Sequence, residues 1–67
     1  MIATHTEHRQ PMKLWRIAQL AIQTQNRAMA EGLCVRLEQR HNLNMVGIHE
    51  YLTAHGVAVA DWEELLR

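Results

Sequence analysis

One stretch decides the fold of this 67-residue chain: residues 11–41, which read PMKLWRIAQLAIQTQNRAMAEGLCVRLEQRH. Most of these residues favour helix, and Pro11 suits a first helical turn, where its missing N–H costs nothing. The stretch therefore predicts one long helix that takes nearly half of the chain. Because the remaining sequence is short, we expect the apolar side of this helix to pack against a second copy or another protein.

The apolar residues of this stretch recur at the three-four spacing of a helix face. They predict a dimer interface formed by Leu14, Ile17, Ala21, Ala28, Leu33 and Leu37. The polar block at residues 23–27 interrupts the pattern and leaves two alternatives: the helix continues, or the chain turns and Asn26 caps a second helix. Since the block contains no Gly or Pro, we favour the continuous helix.

Gly32 is the weak position of the long helix. A glycine inside a helix costs about 1 kcal/mol relative to alanine. Ala28 lies one turn earlier, so the two small residues would let another backbone approach closely.

Residues 41–44 predict the end of the long helix. Asn42 can adopt the left-handed conformation that ends helices, and Asn44 can cap the next one. A second helix then covers residues 45–55, and Gly56 is a good terminator.

The C-terminal residues predict a short closing turn. Asp61 with Glu64 three residues later indicates a capping box, and Trp62 is expected in the core. The predicted fold class is all-α: a helical hairpin of one long N-terminal helix and a shorter second helix, closed by this turn and dimerising into a helical bundle. Residues 11–67 form the single domain, and residues 1–10 a flexible tail.

Size and composition restrict the class of protein. Below about 70–80 residues a single core rarely gives more than roughly 3–5 kcal/mol, which again favours an oligomer. Cys34 is the only cysteine, so no disulfide can form within the chain, as is usual in a reducing compartment. There is no apolar run long enough to cross a membrane and no signal-peptide pattern at the N-terminus. We expect a cytoplasmic protein without membrane association.

Charge is unevenly distributed along a chain whose net charge is zero. Residues 1–40 contain six Lys and Arg against three Asp and Glu, whereas residues 41–67 contain one against four. Dedicated nucleic-acid binders are usually basic overall, so the neutral total argues mildly against that role.

No motif for catalysis, a cofactor or a metal is present. A structural zinc site needs four ligands, usually with paired cysteines, and the spacing from His49 to His55 does not match a helical zinc motif. Cys34 lies in an apolar run, where a free cysteine usually fills space. We assign no catalytic, cofactor-binding or metal-binding residue and expect the protein not to be an enzyme. The histidines, read as ordinary surface or helix-end residues, are His5, His8, His41, His49 and His55.

The residues left for a function point to binding of another protein. Trp15 is either a core residue or an exposed anchor, and the two alternatives stay even. Around it we predict a partner-binding surface made of Trp15, Lys13, Arg16, Arg9, Arg36 and Arg40. The favoured function is a small regulatory or inhibitory protein, bacterial or phage-encoded, that acts as a homodimer and covers a surface its target needs. The alternatives are a dimeric DNA-binding repressor that uses the basic face, and a structural subunit of an assembly.

Overall fold

The computed structural model describes residues 12–67, and these fold as four helices without a strand. The helices are α1 (Leu14–Thr24), α2 (Arg27–His41), α3 (Met45–Ala54) and α4 (Val59–Leu66). The all-α fold class is therefore confirmed. The predicted tail at residues 1–10, and Pro11, lie outside the described residues.

The single long helix predicted for residues 11–41 is wrong, because the chain turns between α1 and α2. Gln25 adopts the left-handed conformation, with φ of 55°. The backbone N–H of Gln25 donates to the carbonyl of Ile22 at 3.2 Å, and that of Asn26 to the carbonyl of Ala21 at 2.9 Å. This pair of bonds is the usual closure of a helix that ends in a left-handed residue.

Asn26 begins α2 in the way that the second alternative predicted. Its side-chain oxygen accepts a hydrogen bond from the backbone N–H of Met29 at 3.0 Å. The Gln25 side chain also donates to the carbonyl of Ile22 at 3.1 Å. Polar side chains thus satisfy the backbone groups that a break exposes, and no Gly or Pro is needed.

The predicted boundaries of the second helix are confirmed. Asn42 is left-handed, with φ of 55°, and the Asn44 side chain accepts a hydrogen bond from the N–H of Gly47 at 2.8 Å. Gly56, with φ of 79°, follows α3. The predicted capping box is wrong, because α4 begins at Val59, before Asp61. Asp61 instead lies in the first turn of α4, where its negative charge interacts favourably with the positive end of the helix dipole.

The core is assembled from all four helices of the described chain. Helix α1 packs mainly on α2, and α4 closes over both. Trp62, Leu37 and Leu52 are its largest fully buried side chains, which confirms the prediction for Trp62. The complete set of buried residues is Ala18, Ala21, Ala30, Leu33, Leu37, Ile48, Leu52, Val57 and Trp62.

This core corrects the sequence-based placement of the dimer interface. Ala21, Leu33 and Leu37 are at most 4 % exposed within the single chain, so a second copy packed there would have to displace the chain's own helices. Leu14 and Ile17 are half-buried, and Ala28 is exposed. Dimerisation itself stays a prediction, and Ala21, Leu33 and Leu37 cannot contribute to it while the single-chain core is intact. None of the helices in residues 12–67 is long and apolar enough to cross a bilayer.

Candidate binding surface

An open groove runs between α1 and α2. The two helices are joined by only two residues and pack against each other. Along one edge of the pair the side chains do not meet fully, which leaves a groove of about 260 Å³. Its lining is mostly apolar and consists of Ile17, Met29, Gly32, Leu33 and Arg36.

Gly32 lines the groove beside open space. A Cβ atom placed on Gly32 would meet no neighbouring group within 4 Å, so packing within the described chain gives no reason for a glycine here. A glycine at this position costs about 1 kcal/mol relative to alanine. The space beside it is large enough for a side chain or a backbone from another molecule.

Basic side chains border the groove at its end away from the turn. Arg36 lines the groove, and Arg40 lies one turn further along α2 on the same side. Lys13, the N-cap residue of α1, does not line the groove. Lys13, Arg36 and Arg40 are exposed, and none of them forms an ion pair with another residue in the part of the chain that the structure describes. Their positive charge is therefore not compensated locally.

A second, smaller recess of about 110 Å³ lies on the outer side of α1. Met12 and Leu20, which are 51 % and 36 % exposed, form its apolar part. Arg16 borders it and also has no ion-pair partner among residues 12–67. Exposed apolar and basic side chains thus continue from the groove around α1.

Trp15 does not belong to this surface, which corrects the predicted grouping. Its indole stacks on the ring of His55 with 5.5 Å between centroids and 1° between planes. Its backbone N–H donates to the hydroxyl of Tyr51 at 3.1 Å. Because Trp15 and Ile17 are two residues apart, their side chains point about 200° apart around α1. Trp15 is half-buried and joins α1 to α3, on the side away from the groove.

The predicted residues are therefore only partly brought together. Arg36 lines the groove and Arg40 lies one turn further along α2, Arg16 lies on the neighbouring recess, Lys13 lines neither, and Arg9 lies outside the described residues. Met29, which lines the groove, was not in the predicted partner-binding set, although methionine suits an adaptable contact surface as well as a core. In the sequence, the feature that indicates the groove is Gly32, a glycine inside a predicted helix where packing within the chain does not require one.

Cys34 lies elsewhere, in a small cavity of about 70 Å³ beside Trp62. Burial, and then the nearby carboxylates of Glu38 and Glu31, raise the pKa of the Cys34 thiol. The thiol is thus a poor nucleophile at neutral pH. Across residues 12–67, no three His, Cys, Asp or Glu side chains come together as a metal site.

No family model, curated protein or solved structure matches this chain. The shape and charge of the groove between α1 and α2 are therefore the features from which a function is inferred.

Proposed function

We propose that this chain is a small regulatory or inhibitory protein that binds another protein through the groove side of α1 and α2. The observation that supports the proposal is an open apolar groove bordered by basic side chains without a local partner. Fixed positive charges beside apolar surface attract a complementary partner and orient it, while the apolar contact supplies most of the affinity.

The shape of the groove favours a macromolecule over a small ligand. Small-molecule sites typically enclose about 300–1,000 Å³ and cover most of the ligand. This groove is open to solvent and holds about 260 Å³. We propose that the chain acts without catalysis and without a cofactor or a metal. Its effect on the target is occlusion, because a rigid helix pair seated on a surface prevents other molecules from reaching it.

Affinity purification from the native host, followed by mass spectrometry, tests this proposal. The bait is the wild-type chain, compared with the charge-reversed variant Arg36→Glu/Arg40→Glu. The matched control is Arg27→Glu/Arg67→Glu, which makes the same charge change away from the groove. We expect a protein that the wild type and the control variant recover and that the groove variant does not. Equal recovery by all three baits, or no specific protein, would contradict it.

The second candidate function is a dimeric DNA-binding repressor. It is favoured by the same unpaired basic side chains, since phosphate contacts use exposed Lys and Arg. The carboxylates of Asp61, Glu63 and Glu64 on α4 oppose it, because they would repel a phosphate backbone brought near that helix. Gel shifts with duplex DNA separate the two functions. Tight binding that weakens steeply with rising salt supports the repressor.

Homodimerisation is part of this proposal, on a surface other than the buried core. Met45 and Val46 at the start of α3 are 71 % and 64 % exposed, and they are the most exposed large apolar side chains in residues 12–67. Sedimentation of the wild type and of Val46→Glu checks whether a dimer forms and whether this surface holds it.

A further inference from the structure

The groove between α1 and α2 has the form that a third helix fills. Its apolar residues come from both helices: Ile17 from α1, and Met29 and Leu33 from α2. Packed helices lie about 8–10 Å apart, with close approach where a small residue sits at the crossing. Gly32 lies among these residues with nothing within 4 Å of a Cβ placed there, so it permits such an approach.

The charge along the groove specifies the chemistry of that helix. Met29 lies in the first turn of α2, near its connection to α1, whereas Arg36 and Arg40 lie towards the C-terminal end of α2. No described residue forms an ion pair with these two basic side chains. A helix that places apolar side chains near the turn and carboxylates at the other end would satisfy both parts of the groove.

From this complementarity we infer that the groove binds an acidic amphipathic helix of the partner protein. The inference rests on the proposed function and names the part of the partner that is recognised. The bound helix carries large apolar residues at three-four spacing on one face, and Asp or Glu beside that face at one end.

The acidic helix of a second copy, α4, is not such a helix, because it turns Trp62 into the core. The exposed residues of α4 are Ala60, Asp61, Glu63 and Glu64, of which only Ala60 is apolar. A methyl group is too small to fill the groove, and the Glu63 carboxylate already pairs with His49 at 3.4 Å. We therefore assign the occupant to a different protein rather than to α4 of a second copy.

Selection from a displayed library of helical peptides tests the inference directly. The library varies the charge and the apolar positions of a fixed helical scaffold, and the full-length chain is the bait. We expect the enriched peptides to carry apolar residues at three-four spacing and an excess of Asp and Glu. Enrichment of basic or uncharged peptides, or no enrichment, would overturn the inference.

The variant Gly32→Leu locates the binding site. It fills the groove, and because residue 32 is exposed and unobstructed it leaves the thermal unfolding midpoint unchanged or raises it. We expect it to weaken binding of the enriched peptides by about tenfold or more. Thr53→Leu, which adds the same side chain on the exposed side of α3, is the matched control and should bind as the wild type does. Unchanged binding by Gly32→Leu would place the peptide elsewhere and refute the inference.

The same variant separates failure of the inference from failure of the proposed function. If the captured partner binds Gly32→Leu as well as wild type, and the selection returns no acidic helix, the inference is wrong while binding of a protein stands. If the native host yields no specific partner and the selection also fails, both are wrong.

Discussion

The left-handed residue between α1 and α2 gives the sharpest test of the fold, through the variant Gln25→Gly. Gln25 has φ of 55°, a conformation that costs an ordinary L-residue roughly 1–2 kcal/mol and glycine almost nothing. If the chain turns at this position, glycine should be the better residue and the variant should be more stable than wild type.

Two effects reduce the stabilisation expected from Gln25→Gly. The hydrogen bond from the Gln25 side chain to the Ile22 carbonyl, 3.1 Å long and exposed, contributes about 0.5 kcal/mol at most. Glycine also has more conformational freedom to lose when the chain folds, at a cost of a few tenths of a kcal/mol. The net expectation is a stabilisation of about 0.5–1 kcal/mol. For a domain of this size, that raises the melting temperature by roughly 2–8 °C.

Thermal and urea unfolding followed by circular dichroism measure the difference. The matched control is Gln19→Gly, the same chemical change in the middle of α1, which should destabilise by about 1 kcal/mol or more. The two substitutions therefore have opposite signs if α1 ends before Gln25. If both destabilise by similar amounts, residue 25 lies within a continuous helix and the two-helix description is refuted.

Three further predictions follow from burial in the described chain. Leu37→Ala should lower the free energy of unfolding by roughly 2–5 kcal/mol at every protein concentration, because Leu37 is 1 % exposed within one chain; a loss seen only in concentrated samples would instead place Leu37 between two copies. Trp15→Ala should cost about 2 kcal/mol in urea unfolding, since the indole stacks on His55, and unchanged stability would make Trp15 a free surface anchor. Iodoacetamide should alkylate Cys34 more slowly than it alkylates a cysteine in an unfolded peptide, and the alkylation rate of Cys34 should increase only at higher pH, because burial raises the pKa of the thiol. A rate equal to that of the peptide would show that the thiol is not shielded.

The helix ends that local chemistry determines were predictable from the sequence. Asn42, Asn44 and Gly56 act through their own backbone preferences and side chains, and the structure places each as expected. The turn at Gln25 was not predictable with the same certainty, because glutamine rarely adopts the left-handed conformation. There the tertiary packing of α1 on α2 outweighs the local preference for a continuous helix.

Only the tertiary structure shows what covers the apolar surface. The periodicity marks Leu33 and Leu37 as apolar-face residues, but it does not say whether the chain's own α4 or a second copy covers them. Trp15 and Arg16 are adjacent in sequence and yet face different neighbours, because successive residues of a helix point about 100° apart. The predicted surface therefore combined residues that the fold separates.

The two-residue connection between α1 and α2 has a consequence for how quickly the molecule reaches its native state. Helices that adjoin in sequence meet after a very short loop closes, and proteins rich in such local contacts fold in microseconds to milliseconds. Helices α3 and α4 must both return from the later part of the chain to reach α1, and α4 also packs on α2. We expect a single relaxation on this timescale after a temperature jump, with burial of Trp62 as the slowest contact to form. A relaxation slower than a second would show that the helix pair does not assemble locally.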